Sequence, residues 1–282
     1  MLVQKAKKEK LPKKARIIYA ITIIICAIAI ALAIYRQFFY QEDYSKNIVP
    51  NLNEEDSNTL KNKFEDLFIN DIEIGNSSQT GSIKKINDDK KIIYRVFEGE
   101  KIIENSYNIQ VHIPTINIDS EIIKKYNEEI NNEFIQKVRD ILDTKNKNII
   151  YTVEYVATLE NNILSLMIRS DYKEGNNPQK VVIKTYNYDI IEDKELTLQE
   201  LLQRKNRDLN EVQNTIKQEI EVEQKKAEDL KNLGYNIFSR DINSDMYKIE
   251  NTDQFFVVED RIYIIYPYGN TMQTNEVDLV IL

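Results

Sequence analysis

Residues 149–188, IIYTVEYVATLENNILSLMIRSDYKEGNNPQKVVIKTYNY, decide the fold class. Three runs rich in Val, Ile, Thr and Tyr, at 149–159, 163–171 and 180–188, predict strands, because β-branched and aromatic side chains pack well on a pleated surface. Asn161-Asn162 separates the first two. Asparagine tolerates the left-handed backbone that a two-residue turn requires, so these runs predict a hairpin. Glu174-Gly175-Asn176-Asn177-Pro178 separates the second and third, and Gly, Asn and Pro favour a tight reversal there.

Upstream, Ile122, Ile123, Tyr126, Ile130, Phe134, Val138 and Ile141 recur at helical spacing. They predict a helix over 121–142, capped by Asp119 or Ser120. Strands are expected at 91–100 and 107–113, the second ended by Pro114. Leu60, Phe64, Leu67 and Phe68 predict an amphipathic helix over 55–70, before a turn-rich break at 75–81. Downstream, 189–194 is a polar turn and Thr197 caps a short helix over 198–202. A longer polar helix over 206–233 stops at Gly234. Strands at 255–258, 261–266 and 277–282 close the chain. Strands and helices come in unequal blocks, not strict alternation, which predicts an α+β fold: an antiparallel sheet with helices on one face.

The N-terminal region differs in kind. Residues 17–35, IIYAITIIICAIAIALAIY, carry no charge. At 1.5 Å per residue they span roughly 28 Å as a helix, close to the hydrocarbon thickness of a bilayer. Tyr19 and Tyr35 stand where amphipathic rings prefer the interface. Seven Lys/Arg residues precede this run, so a single transmembrane helix is expected with a cytoplasmic N-terminus and everything after Arg36 outside. Ala31-Leu32-Ala33 also has the small-x-small spacing of a cleavage site. The expected organisation is a basic tail (1–16), a transmembrane helix (17–35), a juxtamembrane tether (36–54) and an extracytoplasmic domain (55–282).

Charge follows the same division. Of 38 basic and 46 acidic residues, the tail holds seven and one. The rest therefore carries 31 against 45, a net −14, where the whole chain shows −8. An acidic exterior disfavours nucleic acid and favours a cationic partner. Six glycines and five prolines among 282 residues exclude a collagen-like or Gly/Pro-rich chain.

The inventory for chemistry is thin. One cysteine, Cys26, lies inside the apolar run, which excludes a Cys-based zinc site and an intrachain disulfide framework. One histidine, His112, sits in a strand pattern with no serine elbow to serve. Asp189, Glu192, Asp193 and Glu195 share one polar turn, an arrangement usually solvated. Phosphate-binding and zincin motifs are absent from the sequence. These readings predict no catalytic residue, no metal and no cofactor. Recognition residues are better represented: Tyr266-Pro267-Tyr268 places two tyrosines around a rigid proline at a strand exit, a contact surface with little rotamer entropy to lose. Gly175-Asn176-Asn177-Pro178 is a second candidate loop.

Taken in order, several segments resemble the extracytoplasmic domain of the RsiV-like family, lysozyme-sensing anti-sigma factors whose domain also occurs on peptidoglycan deacetylases such as PdaC. They are Ile113-Pro114, the helix with Tyr126-Asn127-Glu128-Glu129-Ile130-Asn131, the loop 172–178 leading to the strand 181–188, the segment 193–202 (DKELTLQELL), and 256–277 with Tyr266-Pro267-Tyr268. Together they cover about two-thirds of the chain. Where the family often has Gly-Ala-His, this chain has Gly175-Asn176-Asn177-Pro178. Thr271-Met272-Gln273-Thr274-Asn275 replaces a second family motif. The resemblance implies binding of lysozyme, a basic muramidase, which agrees with the charge arithmetic. Sixteen lysine-rich residues do not form an anti-sigma surface, so the expectation is a membrane-anchored lysozyme-binding protein that inhibits the enzyme by occluding or sequestering it. A proteolytically released lysozyme sensor and a cell-wall glycan-binding module are the alternatives. The Ile-, Asn- and Lys-rich composition suggests an AT-rich genome, and the missing disulfide on an exported domain suits a Gram-positive anaerobe.

Overall fold

Asn161 and Asn162 adopt φ of 49° and 64° and reverse the chain between β3 (Ile149–Glu160) and β4 (Ile163–Glu174), as the sequence predicts. In the computed structural model the described residues are 57–68, 74, 83–104, 106–143, 148–267 and 277–282. The chain divides into two units, Met1–Asn51 and Leu52–Leu282, and the expected tail, apolar span and tether (1–54) all lie outside the described residues. Among the described residues no helix is long and apolar enough to cross a membrane.

Before the hairpin come α1 (Ser57–Asn62), β1 (Ile93–Ile103), β2 (Tyr107–Ile116), and a long helix built from α2 (Glu121–Ile130), a π segment (Asn131–Ile135) and α3 (Gln136–Asp143). After it come β5 (Lys180–Asp189), β6 (Lys194–Glu195), α4 (Leu198–Arg204), α5 (Leu209–Asn232), β7 (Phe255–Val258), β8 (Arg261–Pro267) and β9 (Val277–Ile281). The architecture is mixed α+β. Ser120 caps α2 by accepting from the Ile122 backbone N–H, and Thr197 with Glu200 forms a capping box on α4.

Five expectations change. The strands make two sheets, β1-β2-β3-β4-β5-β6 and β7-β8-β9, not one. The first is not wholly antiparallel: β2 pairs with β3 in parallel. Parallel neighbours need a long crossover, and α2–α3 supplies it. β2 runs through Pro114 to Ile116, opposite a register shift between Arg95 and Phe97, where a residue without an N–H is tolerated. The helix expected over 55–70 splits into α1 and a 3-10 turn, Glu65–Phe68, joined by three-residue bonds such as Phe64 N–H to Lys61 O at 3.2 Å.

Helices also cover both outer faces, not one. The α2–α3 stripe of Ile123, Tyr126, Ile130, Phe134, Val138 and Ile141 packs on one face of the large sheet, against Val111, Tyr155, Leu166 and Tyr186. The π segment turns both Phe134 and Ile135 inward. The opposite face, through Val156, Met167, Val181 and Ile183, meets Phe256, Tyr263, Ile265 and Leu279 of the small sheet, with Leu60, Phe64 and Phe68 alongside. The other side of the small sheet packs on α4 and α5 through Leu201, Val212, Ile216 and Ile220. The order is helix, sheet, sheet, helices.

Polar side chains join the two sheets. Val257 N–H donates to Ser165 Oγ (3.1 Å) and Phe255 N–H to Thr185 Oγ1 (3.0 Å). Thr158 Oγ1 donates to Val257 O (2.5 Å). β7 is an edge strand of its sheet, and these bonds occupy backbone groups that the edge would leave open.

Candidate functional site

The strand register gathers exposed groups at one end of the large sheet. Ile103, Tyr107, Ile149 and Glu174 lie in one row across β1 to β4, and Ile102, Asn108, Ile150 and Lys173 in the next. Beyond them the chain reverses at Gly175–Pro178. Gly175 has φ 55°, a conformation that side chains rarely adopt, and its N–H donates to Asn148 O at 2.9 Å. Asn177 N–H closes the turn on Glu174 O (3.0 Å). Asn176, Asn177 and Pro178 are exposed and Gly175 is half-buried.

Ile102, Ile103 and Ile150 are exposed at the same end of the sheet, at 64%, 45% and 46%, with Ile150 one strand from β4 and Ile102 and Ile103 three strands from it on β1. Sequence reading missed them. A β-branched run looks like buried strand whether or not anything covers it, and only the register places these residues at the open end. Glu100 and Glu104 add negative charge there, with Lys101 and Lys173 interspersed. The surface offers apolar contact, a pre-formed turn and mixed charge.

The second candidate patch divides. Tyr266 is 3% exposed. Its ring stacks edge-on to Tyr247 at 4.9 Å, and its hydroxyl lies 3.1 Å from Thr252 Oγ1. Burial pushes the Tyr266 phenol up to about 12. In place of the contact role expected from the sequence, Tyr266 is a core residue, because strand alternation turns it toward α4 and α5. Pro267, the last residue of β8, is half-buried and lines a cleft of about 340 Å³ with Glu133, Val181, Ile183 and Val277. Val181 stands just after the Gly175–Pro178 turn, so Pro267 and that turn flank the start of β5. Tyr268 lies outside the described residues.

The acids at 189–195 have structural partners. Asp189 Oδ1 accepts from the N–H groups of Ile191 and Glu192, and Asp189 Oδ2 pairs with Arg204. Burial raises the Asp189 pKa, but these donors outweigh it and hold the carboxyl below the ordinary range. Asp193 accepts from Ser120 Oγ (2.5 Å) and Tyr188 Oη (2.6 Å), which lowers it too. Burial, reinforced by Asp193, pushes Tyr188 up to about 12. The turn thereby ties the start of α2 to β5 and α4. Among the described residues no group of three or more His, Cys, Asp or Glu side chains is arranged to hold a metal ion. His112 is half-buried on β2, with Nε2 3.7 Å from Glu98 Oε1.

Comparison with solved structures finds distant matches for this chain. Its structural neighbours are DUF3298 family proteins. One, from Pseudomonas aeruginosa, is 14% identical with a TM-score of 0.40, over 62% of this chain and 81% of that one. Another, from Bacteroides fragilis, is 13% identical with a TM-score of 0.33, over 62% and 79%. No family model matches the chain, and no curated protein does.

Proposed function

We propose that this chain is a membrane-anchored extracytoplasmic protein that binds lysozyme and inhibits it by occluding or sequestering it. The carrying observation is the charge division: net −14 beyond residue 16, against a basic tail. Such a field speeds the encounter with a cationic protein and does little for most other partners. The ordered RsiV-like segments point to the same partner.

The contact surface is the open end of the large sheet. The exposed turn Gly175–Pro178 enters the enzyme's sugar cleft, Ile102, Ile103 and Ile150 provide apolar contact along the same end of the sheet, and Pro267 borders the surface. A turn closed by its own backbone bonds loses little entropy on binding. Occupying the cleft is enough to inhibit, and the protein needs no chemistry of its own.

The test is a titration of the full chain, in detergent, into a lysozyme wall-lysis assay at low and high salt. Lysis should fall as the chain reaches excess, less so at high salt. Undiminished lysis in low salt sinks the proposal. Retention on peptidoglycan but not by lysozyme would favour a cell-wall module instead, and lysozyme-dependent loss of the membrane-bound form would favour a sensor.

A further inference from the structure

Each sheet has two edges, and among the described residues three of the four are short or covered. β6 is two residues long, β7 is bonded to the large sheet, and β9 lies against α1 and α5. β1 differs. It runs for 11 residues, about 36 Å, and among the described residues its only strand partner is β2.

Past the register shift at Val96, pairing is regular from Phe97 opposite Ile113 to Ile103 opposite Tyr107. One face of this stretch, shared with His112, Gln110 and Asn108 of β2, carries Glu98, Glu100 and Ile102, with Glu104 just beyond. All four are exposed. Arg95 Nη1 donates to Glu98 Oε1 at 3.0 Å, and no cation among the described residues pairs with Glu100 or Glu104. On the other face Gly99 leaves a gap: the Phe97 ring, 3.9 Å away, is the nearest group a Cβ there would meet. Lys101 shares that face, its Nζ 5.7 Å from the centre of the Tyr107 ring.

We propose that β1, from Phe97 to Ile103, is a docking edge that takes up an extended segment of a partner protein as an added antiparallel strand, and that the segment it fits carries two basic side chains flanking an aromatic one. The inference does not depend on the partner named above.

The charge pattern selects a foreign basic strand over a second copy. Two β1 edges related by a two-fold axis pair symmetrically about a centre. Centred on Glu98 or Glu100, a glutamate meets its own copy. Centred on Gly99, Glu98 meets Glu100. Centred on Lys101, that lysine meets itself and Glu98 meets Glu104; centred on Ile102, Glu100 meets Glu104. Like charges directly opposite are destabilising, so each of these registers opposes self-pairing. The same glutamates, two residues apart on one face, attract lysine or arginine at alternate positions of a different strand. Between those cations the guest's side chain falls opposite Gly99, where an aromatic ring covers the gap beside Phe97. Ile102 and Ile103 then receive apolar side chains. An edge guarded only against aggregation has no need of exposed isoleucines and an open glycine among its charges. Backbone bonds supply affinity in strand addition, and these side-chain positions supply selection.

The probe is the dye-labelled peptide Val-Ile-Thr-Lys-Phe-Lys-Val, whose lysines stand opposite Glu100 and Glu98 in the antiparallel register. It is titrated with the full chain in detergent and followed by fluorescence anisotropy. Replacing both lysines by glutamate should weaken binding at least about tenfold. Glu100→Lys in the chain should weaken the lysine peptide about fivefold and improve the glutamate peptide. Two further versions are N-methylated at alternate residues; the one with methyl groups on the bonding edge should bind at least about tenfold weaker than the other. Equal binding of the two methylated versions overturns strand addition. Equal binding of the lysine and glutamate peptides, or an unchanged preference in Glu100→Lys, overturns the selection of a basic partner. No binding of the lysine peptide overturns the docking edge outright. The lysozyme assay reads separately: a chain that inhibits lysis and binds no peptide loses this edge alone, and one that binds the peptide without inhibiting lysis loses only the lysozyme reading.

Discussion

Asn187 reaches from the large sheet to the small one: its Nδ2 donates to the carbonyl of Phe255 at 2.8 Å. Its Oδ1 accepts from Ser165 Oγ at 2.6 Å, and its own carbonyl accepts from Tyr126 Oη at 3.2 Å on the helix side. At 3% exposure, no solvent substitutes for these bonds. Asn187→Leu would leave the Phe255 carbonyl and Ser165 hydroxyl without these partners, at a cost of about 2–4 kcal/mol. Urea unfolding measures it, and a loss under about 0.5 kcal/mol would show that the side-chain bonds do not hold the sheets together.

Tyr266 separates stability from binding. Tyr266→Phe removes only the hydroxyl beside Thr252 and should cost about 1 kcal/mol of stability. Because the ring is buried, lysozyme affinity should not change. Asn177→Arg, on the exposed turn, should leave stability within about 0.5 kcal/mol and weaken binding by about 1–2 kcal/mol, since it sets a bulky cation against a cationic partner. Calorimetric titration with both variants decides the assignment; reversed effects would return Tyr266 to the interface.

Local pattern and long-range pattern differ here in what they disclose. The α2–α3 stripe, the Asn161-Asn162 turn, the Thr197 cap and the three closing strands were all legible, because each rests on propensity or spacing within a dozen residues. The division into two sheets was not. Ser165, Thr185 and Asn187 alternate with apolar residues along β4 and β5, and such polar positions read equally well as a wet face. They are instead bonded to β7, some seventy to ninety residues away. The candidate turn at Gly175–Pro178 was legible from its composition. Tyr266 misled because a tyrosine before a proline looks the same on either side of a strand.

The β3–β4 turn is open to improvement. Asn162, at φ 64°, occupies the second central position of a turn in which both central residues have positive φ. Glycine is preferred there, since it adopts that backbone without steric cost. Asn162→Gly should stabilise the protein by about 0.5 kcal/mol, while Asn162→Val should cost about 1–2 kcal/mol. At this chain length each kcal/mol moves Tm by about 2–4 °C. Equal melting temperatures for the two variants would mean that the turn contributes nothing to stability.

Acid should release the tie made by Asp189. Its folded pKa is depressed below the ordinary 3.8, since the Glu192 and Ile191 N–H groups and the Arg204 guanidinium outweigh burial. A depressed carboxylate stabilises the fold fully above its unfolded pKa and loses that contribution as pH falls through the folded value. The Asp193 carboxylate, held low by Ser120 and Tyr188, follows the same sign. Stability from both groups should therefore be constant from pH 7 to about 5 and decline below about 4. Asp189→Asn keeps the shape but removes the charge facing Arg204, and should cost about 1–3 kcal/mol at pH 7. The gap between wild type and variant should close as pH falls toward 2. Urea denaturation of both proteins at pH 7, 5 and 3 measures it, and a gap that stays constant across that range would show that the ionised carboxylate is not what holds the turn to α4.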